Sequence, residues 1–129
     1  MASYGHEILR FLTGGTADAT PTDFNFPGVV KTGFTVSVVV EVTVGCVEPG
    51  TLTHYGMYQR RVLFTKEKSS DITIISAVQT IGTDVESDAS MNVTVKGLPP
   101  AGITVLVTGR AATTLDWTVA VRVTSGGSS

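Results

Sequence analysis

T-V-S-V-V-V-E-V-T-V, residues 35–44, puts Val36, Val38, Val40, Val42 and Val44 on one side of an extended chain and Thr35, Ser37, Glu41 and Thr43 on the other. Side chains of a strand point alternately to its two faces, so this strict two-residue period describes a β-strand with one face in a core and one in water. The alternation returns near the end of the chain, where Trp117, Val119, Val121 and Val123 share a face opposite Thr118, Ala120, Arg122 and Thr124. One architecture therefore spans both ends.

Between them the pattern recurs. Residues 57–66 give an extended run in which Tyr58, Val62 and Phe64 share a side with Arg60. An arginine on that side must carry its head to the rim or pair with a carboxylate, because a buried unpaired charge costs several kcal/mol. Residues 71–81 read as one long strand with Ile72, Ile74 and Val78 on one side, and residues 82–90 as a polar acidic loop. Met91, Val93 and Val95 alternate with polar neighbours, G-L-P-P-A-G at 97–102 forces a reversal, and Ile103, Val105 and Val107 alternate again. No segment carries a sustained 3.6-residue apolar period. The chain is thus expected to be all-β, an antiparallel β-sandwich of jelly-roll or immunoglobulin-like type with roughly seven or eight strands.

The organisation expected is an N-terminal strand or arm over 1–15, the sandwich over 16–125 and a flexible tail over 126–129. Residues 6–12 form a first short strand, which T-G-G-T at 13–16 breaks, and S-G-G-S-S at 125–129 is a tail by composition. Residues 16–33 form a long irregular arm whose Phe24, Phe26, Val29 and Val30 must pack on something, either the chain's own core or a neighbouring subunit.

Composition excludes several function classes. A length of 129 residues is enough for one domain with a real core, without metal or disulfide staples. Cys46 cannot close an intrachain bridge and reads as a small buried hydrophobe. Nine basic against eleven acidic residues, a net charge of -2, argue against nucleic acid as a partner. No stretch is apolar enough for a membrane span, and no secretion signal is found, so synthesis in a cytoplasm is expected. The N-V-T sequence at 92–94 is then a chance match to a glycosylation acceptor.

Catalytic apparatus is not visible. His6 and His54 stand apart from any nucleophile or metal-ligand pattern, and no elbow, phosphate loop or dinucleotide fingerprint occurs. No catalytic residue, metal or other cofactor is expected. Asp84, Glu86 and Asp88, at alternate positions, form the best local constellation for a hard cation, although they lack the turn glycine and distal glutamate of an EF-hand; a solvated loop is the default. Arg60, Arg61, Lys66 and Lys68 cluster near one strand end as a basic rim. Threonine-rich outer faces with few lysines suit close subunit contact.

Three stretches together resemble a known family: T-A-D-A-T-P-T at 16–22, Y-G-M-Y-Q-R-R-V-L-F at 55–64 and I-T-V-L-V-T-G-R-A-A-T-T-L-D-W-T-V-A-V-R-V-T at 103–124. They are similar to a β-domain widespread in virion structural proteins of tailed bacteriophages, which opens with D-A-T-P-T and closes with a V-x-V-T-G-x-A-x-x-T-x-x-W-x-A-x-V-x-V strand pair. Asp18 to Thr22 match the opening, Gly109 the turn and Trp117 the closing strand, while Leu115 and Asp116 depart from the pattern ahead of the tryptophan. The resemblance implies a non-enzymatic virion protein, expected as a capsid decoration or cement protein that contacts the major capsid protein and itself, as a homotrimer. The alternatives are a tail-associated receptor- or carbohydrate-binding module, with His54, Tyr55 and Tyr58 to stack on sugar, and a tail or adaptor component. Tyr4, Phe11, Phe24 and Phe26 are the expected contact residues, because aromatics in arms and loops lack another explanation.

Overall fold

The structure is a computed structural model that describes residues 3–128, with the side chains of residues 5–127. The strands are β1 (Ser3–Thr16), β2 (Thr22–Phe26), β3 (Thr35–Val47), β4 (Tyr55–Lys66), β5 (Thr73–Ile74), β6 (Gln79–Thr80), β7 (Val85–Glu86), β8 (Asn92–Leu98), β9 (Gly102–Thr108) and β10 (Leu115–Ser128). The described residues contain no helix. Two antiparallel sheets result: a large one in the order β1-β10-β3-β4, with β5, β6 and β7 all on the far edge of β4, and a small one in the order β2-β9-β8. The chain is an all-β antiparallel sandwich, as the alternation requires.

The valine period does what it predicts. Val36, Val38, Val40, Val42 and Val44 of β3 are buried, as are Trp117, Val119, Val121 and Val123 beside them on β10. Phe24, Phe26, Val93, Val95, Ile103, Val105 and Val107 of the small sheet close the core from the opposite side. Burying that apolar area is the main favourable term holding the two layers together.

Three readings change. The first strand does not stop at residue 12: β1 runs to Thr16, with Gly14 opposite Trp117 and Gly15 opposite Asp116. Glycine serves close packing here, since a Cβ on Gly14 would lie 3.0 Å from the Phe24 ring. Of the strand or arm expected over 1–15, the described residues form the strand, because β1 pairs with β10 of its own chain over its whole length. Residues 126–128 do not leave the sheet as a tail. Gly126, Gly127 and Ser128 continue β10 between β1 and β3, and a Cβ on Gly127 would collide with the Thr35 carbonyl.

The long strand expected over 71–81 is broken. Ile74 pairs with Phe64, Thr80 with Arg60 and Glu86 with Gly56, so six positions on one side span four on β4, twice over. Each interval loops out two extra residues. At the first, Ile75 and Ser76 both donate their backbone N–H to the Leu63 carbonyl, while the Leu63 N–H donates to Ser76 Oγ. Because two is an even number, the side chains keep their faces through both bulges.

Candidate interaction surface

The residues that carry the sequence resemblance come together at one end of the sandwich and are used for structure. Trp117 Nε1 donates to Thr16 Oγ1 at 2.8 Å, and its ring stacks on Tyr58 with centroids 6.3 Å apart. Asp18 Oδ1 accepts the Thr20 N–H at 2.8 Å and so sets the turn after β1. A Cβ on Gly109 would sit 2.5 Å from Thr16 Oγ1 and 2.6 Å from the Asp18 carbonyl. Gly109 is therefore required by close approach, where the sequence suggests a tight reversal. The left-handed residue in that connection is Ala112, at φ 52°.

Asp84, Glu86 and Asp88 do share a face, and it points inward, where each takes a different partner. Asp84 receives Arg60 in a fork, Nη1 to Oδ1 at 2.6 Å and Nη2 to Oδ2 at 2.8 Å, and Arg60 Nε donates to the Val93 carbonyl at 2.9 Å. Arg60 is thus buried and paired, one of the two outcomes its position on the apolar face allows. Tyr58 donates its hydroxyl to Glu86 at 2.7 Å, and burial followed by that carboxylate pushes the phenol well above its usual pKa. Asp88 accepts the Ser90 N–H at 2.8 Å and Arg110 Nε at 2.7 Å, and the bonding to Ser90 first, then to Arg110, holds its carboxyl down to about 2. The acidic segment is a strap that ties β4, β8 and the β9–β10 connection together. The described residues contain no group of three side chains arranged to hold a metal.

The remaining candidates disperse. Phe24 and Phe26 belong to the chain's own core and not to a contact surface, because β2 turns both rings inward against β9. Phe11 is 70 % exposed and stays available, while the side chain of Tyr4 lies outside the described residues. Tyr58 is buried and cannot stack on sugar; Tyr55 is exposed, and His54 is half-buried with Nδ1 unpaired. The basic rim does not form, because alternation along β4 turns Arg60 and Lys66 inward and Arg61 outward, while Lys68 lies exposed in the turn after β4. Cys46 is buried, and burial first, then the Glu86 charge, pushes its thiol up to about 11, so it is a packing residue.

One large surface is left: the outer face of β1, β10, β3 and β4. Its central row runs Leu9, Arg122, Glu41, Arg61 across the four strands, and a row nearer the β3–β4 turn runs Gly15, Asp116, Val47, Tyr55. Exposed apolar side chains lie along it, among them Leu9, Phe11, Val39, Val47, Tyr55 and Met57. Its charged members are Glu7, Glu41 and Asp116 against Arg61 and Arg122, and no lysine of the chain falls on it. A hollow of about 470 Å³ opens on one margin, lined by Thr13, Gly14, Gly15, Asp116, Trp117 and Thr118. Sequence alternation predicts which residues point outward, but only the strand order places them in rows.

No family model matches the chain, and no curated protein matches it. Among solved structures, the tailspike protein of Acinetobacter baumannii phage AM24 superposes with a TM-score of 0.38 at 10% identity, over 94% of this chain and 26% of that one. The chain thus spans about a quarter of that protein's length. A superposition this loose does not establish a common fold.

Proposed function

We propose that this chain is a non-enzymatic structural protein of a tailed-phage virion, seated on the outside of the capsid, where it strengthens the shell through contacts with the major capsid protein and with copies of itself. The observation that carries the reading is the outer face of the large sheet: wide, apolar in part and free of lysine. Interface cores are depleted in lysine and enriched in aromatic residues, methionine and arginine, and this face offers Phe11, Tyr55, Met57, Arg61 and Arg122. The D-A-T-P-T and closing-strand resemblance supports the virion assignment.

Stabilisation by such a protein is linkage. A ligand that binds only the assembled shell stabilises it by RT ln(1 + [L]/Kd), and repeated contacts add avidity with no catalytic step. The test compares phage particles with and without the protein for survival of heat and osmotic shock. Loss of survival in its absence supports the reading; equal survival opposes it. Exposed Tyr55 is the observation a tail-borne carbohydrate-binding role retains, and a glycan array reads that directly.

A further inference from the structure

We propose that the outer face of the large sheet is covered by the same face of a second copy of this chain, related by a two-fold axis that runs parallel to β3 and β10 and between them. The inference holds whether or not the protein belongs to a virion, since it rests on the face alone.

Size comes first. Four strands at about 4.8 Å spacing and about 40 Å long present on the order of 760 Å², close to the roughly 800 Å² per partner of a standard stable interface. Two sheets packed face to face with strands nearly aligned is also the ordinary way for a half-apolar sheet surface to leave water.

Charge then selects the occupant and the axis. In the central row Arg122 and Glu41 stand side by side on β10 and β3, directly opposed in register. A two-fold axis between and parallel to those strands lays β10 over β3 of the partner, so each Arg122 meets the other copy's Glu41, and each Glu41 the other copy's Arg122. Turning the axis by a right angle, across the strands, lays like charge on like charge, which costs several kcal/mol. Only the first arrangement is self-complementary, and its two ion pairs lie next to the axis, where a crossing angle between the sheets displaces them least.

Shape agrees with charge. Gly15 and Tyr55 occupy opposite margins of one row, Gly15 on β1 and Tyr55 on β4. The same axis lays β4 over the partner's β1 and brings each exposed Tyr55 towards the hollow that Gly14 and Gly15 open. Asp116 at the edge of that hollow can accept the tyrosine hydroxyl. A projecting aromatic and a glycine hollow on one surface are mutually satisfying only when that surface meets itself.

Sedimentation equilibrium of the purified chain tests this, with Arg122→Glu and Glu41→Arg as variants and circular dichroism melts to confirm that each folds. The wild type is expected at twice its 13.5 kDa chain mass. Each single reversal is expected to shift the association midpoint to a concentration about a hundredfold higher or more. An equimolar mixture of the two variants is expected to restore the pair, because position 122 of one chain then opposes position 41 of the other with opposite sign. Each variant keeps its own in-sheet like-charge contact in the mixture, so restoration reports the contact between chains. A wild type at single-chain or three-chain mass, reversals that still pair, or a mixture that stays monomeric would each overturn the proposal.

Discussion

Asp84→Ala removes the one carboxylate that, among the described residues, pairs with the buried Arg60 guanidinium. Arg60 is 5 % exposed and keeps two acceptors in the variant, the carbonyls of Val93 and Gln59, while the fork to Asp84 vanishes and Nη2 loses its bond. Breaking one partner of a buried pair costs about 3–5 kcal/mol, because the remaining charge stays desolvated. Asp84 itself is 26 % exposed, so water can enter where its carboxylate stood, which places the loss near the lower end, at about 3 kcal/mol. For a chain of this length that corresponds to a fall in Tm of about 10–15 °C. Urea unfolding followed by circular dichroism measures it as a lower midpoint at unchanged slope. The double variant Arg60→Met with Asp84→Ala should recover most of the loss, since a well-packed apolar chain replaces a buried ion pair at little cost. An Asp84→Ala protein within about 1 kcal/mol of wild type would refute the strap as a stabilising element. So would a double variant no better than the single one.

Acid should loosen the other end of the strap. Asp88 sits at about 2 in the fold, below the roughly 3.9 of an unfolded aspartate, so its contribution is complete above about pH 4 and is lost as pH falls towards 2. Melting curves across that window should fall more steeply for wild type than for Asp88→Asn. Cys46, with its thiol pushed up to about 11, should resist a disulfide reagent at neutral pH in the native protein and react in denaturant. Gly109→Ala must displace Thr16 or the Asp18 carbonyl, and stability measurements should find a loss of about 1–3 kcal/mol. A neutral effect there would mean that the chain crossing is looser than its distances.

The fold was legible wherever alternation is strict, and least legible where glycine or a bulge intervenes. β3 and β10 announce themselves because valine fills every inward position, and Arg60 announces a partner because a charge stands in such a series. Gly14, Gly15, Gly126 and Gly127 read as breaks, since the sequence cannot distinguish a glycine that turns the chain from one that admits a neighbour. Phe24 and Phe26 have no explanation in local sequence, because only the pairing of β2 with the distant β9 turns them into the core. The partners of Asp84, Glu86 and Asp88 lie 24, 28 and 22 positions away, beyond what local spacing can reveal. As for the candidate surface, its lysine-poor outer residues were visible in sequence, whereas the charge row and the Tyr55 and Gly15 margins depend on strand order.

The most direct measurement is peroxide oxidation of the two methionines that the fold places differently. Met57 is 51 % exposed on the outer face and Met91 is 2 % exposed in the core, so Met91 serves as the internal standard. Peptide mapping after oxidation of protein diluted below the concentration at which copies pair, and of protein well above it, should find Met57 oxidised in the first and protected in the second, with Met91 protected in both. Met57 oxidised equally in both would mean that the outer face stays open to water at every concentration, contradicting the proposal that a second copy covers it.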